Sequence, residues 1–127
     1  GLRWDVDLDT VYLQGDADLL ARAFTNVLDN AVKYSPPGGT VTVTLKDGVV
    51  RIGDEGHGVA AEERPFVFDR FFRSEASRAT PGTGLGLSIT ESVVRQHGGT
   101  VAVTDAPSGG AQFVLTFPRA VRRPDPR

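Results

Sequence analysis

Asn26-Val27-Leu28-Asp29-Asn30-Ala31-Val32-Lys33-Tyr34 closes a segment in which Leu20, Phe24, Val27, Leu28 and Ala31 recur at helical spacing. Asp16 stands before it as an N-cap, and Ser35-Pro36-Pro37-Gly38-Gly39 stops it, so a long helix runs to about Tyr34. At about 100° per residue, Asn26, Asn30 and Lys33 fall on one polar strip flanking the apolar stripe. Neutral amide oxygens suit Mg²⁺, which takes few protein ligands alongside substrate phosphates, and a lysine adds a point charge for phosphate. A solvated face would explain the strip if the helix stood alone.

Outward from this helix, period-two patterns suggest strands. Arg3 to Leu8 and Val11 to Gln14 alternate before it. After it, Val41, Val43 and Leu45 alternate with Thr40, Thr42 and Thr44, and Asp47-Gly48 turns a hairpin into Val49 to Asp54. A short acidic helix is expected near Ala61 to Phe68, followed by a polar segment from Arg70 to Gly84. A second long helix, Leu85 to His97, ends at Gly98-Gly99, and strands Thr100 to Thr104 and Ala111 to Phe117 complete the domain. Residues 1–118 are read as one domain, and 119–127, with prolines and arginines, as a flexible tail. No internal repeat is present.

Bulk properties bound the possibilities. A chain of 127 residues suits one domain, and at this size roughly two-thirds of its surface can be buried on folding. A formal net charge of -2 leaves no footprint for nucleic acid, whose binders carry basic patches. Without cysteine, disulfides, thiol catalysis and cysteine-ligated zinc are excluded. No run of about 18 apolar residues and no leader-like segment occurs.

Two further segments carry chemistry. On Val49 to Asp54 the period of two puts Val50, Ile52 and Asp54 on one face, where an unpaired carboxylate is costly. A purine amino group is one compensating donor, and an aspartate acceptor favours adenine over guanine, whose corresponding edge group is itself an acceptor. Glu55-Gly56-His57-Gly58-Val59 then lets backbone approach a flat base, with Val59 as an apolar contact. An Asp-Gly turn closing a strand is the simpler explanation of that segment by itself. Gly82-Thr83-Gly84-Leu85-Gly86-Leu87-Ser88 enters the second helix, where exposed amides and the helix dipole can cradle phosphate. Its G-x-G-x-G spacing is neither the dinucleotide fingerprint nor a P-loop.

In this order the segments resemble the catalytic ATP-binding domain of sensor histidine kinases, in the superfamily that also contains gyrase, MutL and heat-shock chaperone ATPases. Asn26 to Tyr34 resembles the N box, Asp54 to Gly58 the G1 box, Phe66 to Arg73 the F box and Gly82 to Leu87 the G2 box. The resemblance implies an α+β two-layer sandwich: a mixed sheet of about five strands, covered on one face by three helices, with a lid between the F and G2 boxes. It implies ATP and Mg²⁺ as ligands. Asn30 would ligate the metal, Asn26 and Lys33 would attend the phosphates, Tyr34 would flank the nucleotide, and Asp54 would take the adenine amino group with Gly56, Gly58 and Val59 beside it. Gly82, Thr83, Gly84, Leu85, Gly86 and Leu87 would wrap the phosphates. Arg70 or Arg73 would neutralise charge on the transferred phosphoryl group. Phe68, Phe71 and Phe72 suit the core better than the site, with at least one expected under the lid.

Hydrolysing relatives, and related serine kinases, carry a glutamate base four residues before the metal-binding asparagine. Here that position is Asn26, whose amide cannot take a proton, whereas a neutral imidazole acceptor already carries a free lone pair. The resemblance therefore favours histidine phosphorylation over hydrolysis. His57 sits in the G1 loop, where the family more often has proline, and His97 precedes a helix stop where it suits a capping role. Neither lies in an acceptor motif. The expectation is a catalytic domain that phosphorylates a histidine on a separate dimerisation domain of a homodimeric parent chain, feeds a response regulator, and does not phosphorylate itself. The fragment itself is expected to be monomeric. The expected location is cytoplasmic, with the parent anchored in the inner membrane. The alternative is a transfer-inactive nucleotide-binding regulatory module.

Overall fold

Asp16 begins the first helix as its sequence implied: its carboxylate Oδ1 accepts the amides of Asp18 and Leu19 at 3.0 and 3.1 Å. Helix α1 then runs Ala17–Tyr34, burying Ala23, Val27 and Ala31. Ser35, forced extended by Pro36, ends it with φ -75° and ψ 140°, while its amide still reaches Ala31 O. The computed structural model describes residues 1–69 and 86–122.

Five strands form one mixed sheet in the order β1-β2-β3-β5-β4. These are β1 (Arg3–Leu8), β2 (Thr40–Lys46), β3 (Val49–Gly53), β4 (Thr100–Asp105) and β5 (Ala111–Thr116). β1 pairs parallel to β2, the two being joined through α1, and every other pairing is antiparallel. The β2–β3 hairpin turns at Asp47 and Gly48, with φ 53° and 76°, the left-handed pair that an Asp-Gly hairpin requires. Alternation decides which face is buried. Ala111, Phe113 and Leu115 of β5 and Val50 and Ile52 of β3 point inward, beneath Val27 and Ala31 of α1 and Val94 of helix α2 (Gly86–Gln96). Phe68 joins this core, its ring edge-on to Phe113 at 6.1 Å, whereas Phe66 is half exposed. None of the helices among the described residues is long and apolar enough to cross a membrane.

Two expectations change. Val11 to Gln14 is not a strand: Tyr12 makes an isolated antiparallel bridge with Val121 and the alternation finds no ladder to join. That bridge, with an ion pair of 2.6 Å between Arg122 and Asp47, joins Val121 and Arg122 to the rest of the domain. The acidic helix near Ala61 to Phe68 is only a 3-10 turn, Arg64–Phe66, because Pro65 supplies no amide to propagate an α-helix. Among the described residues the helical layer consists of α1, α2 and this turn. Phe71 and Phe72 lie outside the described residues.

Candidate functional site

The end of β3 builds the first half of the site. Asp54 is 2% exposed, in phase with Val50 and Ile52 as the alternation required. Its backbone amide extends the sheet ladder to Ala111 O at 3.0 Å. Its carboxylate is held by backbone: Oδ1 accepts the amides of Gly56 at 2.8 Å and Ala111 at 3.2 Å. Oδ2 has no hydrogen-bond partner among the described residues, so the carboxylate keeps acceptor capacity to spare. An acceptor fixed on one side and open on the other can take a donor from a ligand.

Glycine makes this arrangement possible at two places. A Cβ on Gly56 would overlap Tyr34 O, and a Cβ on Gly110 would overlap both Asp54 O and Asp54 Oδ1. Ser108 Oγ donates to Asp54 O at 3.1 Å, so the 108–111 turn forms the back wall of the cradle. Sequence reasoning missed Ser108 and Gly110; the Ser108-Gly109-Gly110 run was a readable signal only of a turn.

Around the cradle, the Tyr34 ring meets His57 edge-on at 5.1 Å, and Lys33 Nζ lies 5.4 Å from the Tyr34 ring centre. His57 Nδ1 is 2.7 Å from Gly58 O, and Val59 packs against the core edge. The Arg64 guanidinium holds the next segment, donating to Val59 O at 3.3 Å and to Asp105 at 2.6 Å. Glu55 accepts the Thr40 amide at 2.6 Å, tying the loop to the start of β2.

The second half of the site is the seam between α1 and α2. Asn26 turns its amide to the first residue of α2, donating from Nδ2 to Gly86 O at 3.1 Å. Asn30, one turn on, is half buried with no hydrogen-bond partner among the described residues. A Cβ on Gly86 would make only ordinary contact with Asn26 at 3.6 Å, so packing against α1 does not by itself demand glycine there. Thr90 is fully buried in this seam. At its far end His97, 7% exposed, accepts the Asp16 amide on Nε2 at 3.0 Å and donates from Nδ1 to Val93 O at 2.8 Å. His97 therefore caps both its own helix and the start of α1, a longer reach than the local capping its position suggested.

The structure thus brings Asp54, Gly56, Gly58, Val59, Tyr34 and Lys33 to the β3 end, and Asn26, Asn30, Gly86 and Leu87 to the seam beside it. Arg70, Arg73, Gly82, Thr83, Gly84 and Leu85 lie outside the described residues.

Residues 15–121 match the family model described as "Histidine kinase-, DNA gyrase B-, and HSP90-like ATPase". The chain is 43% identical over 134 residues to the signal transduction histidine-protein kinase/phosphatase MprB of Mycolicibacterium smegmatis, covering 98% of this chain and 27% of that protein. Among solved structures it resembles the mycobacterial sensor histidine kinase MprB, with TM-score 0.83 and 39% identity over 97% of this chain and 84% of that one. It also resembles full-length ShkA in complex with AMPPNP, with TM-score 0.73 and 31% identity over 94% of this chain and 26% of that one. The chain spans about a quarter of the length of the Mycolicibacterium smegmatis relative. The chain belongs to the histidine kinase-, DNA gyrase B- and HSP90-like ATPase family, in the branch formed by the catalytic domains of sensor histidine kinases.

Proposed function

We propose that this domain binds Mg-ATP and donates the γ-phosphate to a histidine on a separate dimerisation domain of a longer parent chain. The observation that carries the reading is Asp54: a buried carboxylate with one oxygen pinned by two backbone amides and the other open. Such an acceptor suits the adenine amino group and opposes the guanine carbonyl at the same edge. Tyr34 and His57 flank that position, and Val59 supplies an apolar contact.

At the seam, the Asn30 amide, without a hydrogen-bond partner among the described residues, fits a hard cation that keeps most of its shell as water and phosphate. Bound Mg²⁺ would neutralise charge on the phosphates. Lys33 would add a cation, and the amides at the start of α2, at Gly86 and Leu87, would face phosphate oxygens. Gly82, Thr83, Gly84 and Leu85 would complete that wrap, with Arg70 or Arg73 opposite the transferred group. Asn26 would offer its second Nδ2 proton to a phosphate while the first stays on Gly86 O. In the transfer, the acceptor imidazole nitrogen forms a bond to the γ-phosphorus as the bond to the bridging oxygen breaks, and ADP leaves. Asn26 cannot act as a base in this step, and a neutral imidazole needs none.

His97 is no acceptor, because burial and two hydrogen bonds occupy both of its nitrogens. His57 sits in the nucleotide loop against Tyr34, so this reading assigns the acceptor histidine to another domain, in a homodimeric, membrane-anchored parent that passes phosphate to a response regulator. The test is transfer of labelled γ-phosphate from Mg-ATP to a supplied dimerisation domain, with Asn30→Ala as control. Transfer lost in the control supports the reading; ATP binding without transfer by the unaltered chain supports a regulatory nucleotide-binding module instead.

A further inference from the structure

Thr90 is a polar residue with 0% exposure, and its hydroxyl lies within bonding distance of two carbonyl oxygens, Ala23 O at 3.0 Å and Gly86 O at 3.1 Å. A hydroxyl carries one proton and can serve one of them at a time. Gly86 O, in the first turn of α2, already receives Asn26 Nδ2 at 3.1 Å and stands opposite the Thr90 amide four residues on. Its two lone pairs are thereby occupied. The Thr90 proton is left for Ala23 O, across the seam on α1, rather than for the local bond back to Gly86.

We propose that Thr90 is a positioning residue for the phosphate end of the site: its hydroxyl ties α2 to α1 and so fixes the first turn of α2 against Asn26, Asn30 and Lys33. The assignment rests on the nucleotide reading above. Amides that face phosphate act only where the helix terminus sits in the right place, and displacements of about 1 Å are felt in binding and in rate. The base end is held separately, by the Gly56 and Ala111 amides, so Thr90 governs the phosphate contacts and leaves the adenine contacts unchanged.

The experiment compares ATP and adenosine binding, by titration calorimetry with Mg²⁺, for the chain as it stands and for Thr90→Val and Thr90→Ser, with thermal unfolding of each. Thr90→Val keeps the shape and removes the hydroxyl; Thr90→Ser keeps the hydroxyl. The expected result is ATP weakened roughly three- to tenfold in Thr90→Val, the range of one lost hydrogen bond. Adenosine affinity should not change, and Thr90→Ser should restore ATP binding. Equal weakening of ATP and adenosine, an unchanged ATP affinity in Thr90→Val, or a Thr90→Ser as weak as Thr90→Val would each overturn the assignment. No ATP binding by the unaltered chain would instead overturn the nucleotide reading itself.

Discussion

The two halves of the site are held by different means. At the end of β3, the Asp54 carboxylate is fixed by main-chain amides and walled by Gly110, where a Cβ would overlap it. At the α1–α2 seam, the contacts are made by side chains: Asn26 to Gly86, Thr90 to Ala23, His97 to Asp16. A cradle of main-chain amides has one geometry, whereas a seam pinned by side chains depends on each of them, so a single substitution can loosen it. In the nucleotide reading proposed above, the base end would select the purine and the seam would place the phosphate contacts.

That contrast can be broken at either end. The largest effect is expected from Gly110→Ala, whose Cβ would displace the carboxylate it abuts; overpacking plus lost hydrogen bonds should cost about 3 kcal/mol in urea unfolding and abolish ATP binding. A stable variant that binds ATP normally would show the cradle to be soft. Asn30→Ala should erase the Mg²⁺-dependent part of ATP affinity, at least roughly tenfold, while affinity without metal stays the same. An equal Mg²⁺ response in variant and parent would remove Asn30 from the metal.

His97→Phe sharpens the seam side. It fills the volume but leaves the Asp16 amide and Val93 carbonyl without partners, so stability should fall by about 1–2 kcal/mol by thermal or denaturant unfolding, with adenosine binding retained. A His97→Phe variant as stable as the parent chain would contradict it.

What could be read from the sequence was local. α1 was legible from a cap, a period and a proline stop within one segment, and the β2–β3 hairpin from Asp47-Gly48. Asp54 was legible because strand alternation placed a charge among core residues. Val11 to Gln14 misled because alternation says nothing about whether a partner strand exists, and 61–68 because composition suggested a helix that Pro65 curtails. Ser108 and Thr90 escaped because their partners lie 54 and 67 residues away, and Gly110 because its neighbour in space is Asp54. Only the assembled sheet and the packed helices bring those pairs together.

The central claim is that the open oxygen of Asp54 receives an adenine amino group. Calorimetric titration of Mg-ATP and Mg-GTP into the chain and into Asp54→Asn tests it directly. The account predicts a clear preference for ATP in the parent, and in Asp54→Asn a loss of roughly 30- to 100-fold in ATP affinity, the worth of a hydrogen bond to a charged group, with the preference collapsing. An unchanged ATP preference in Asp54→Asn would contradict it.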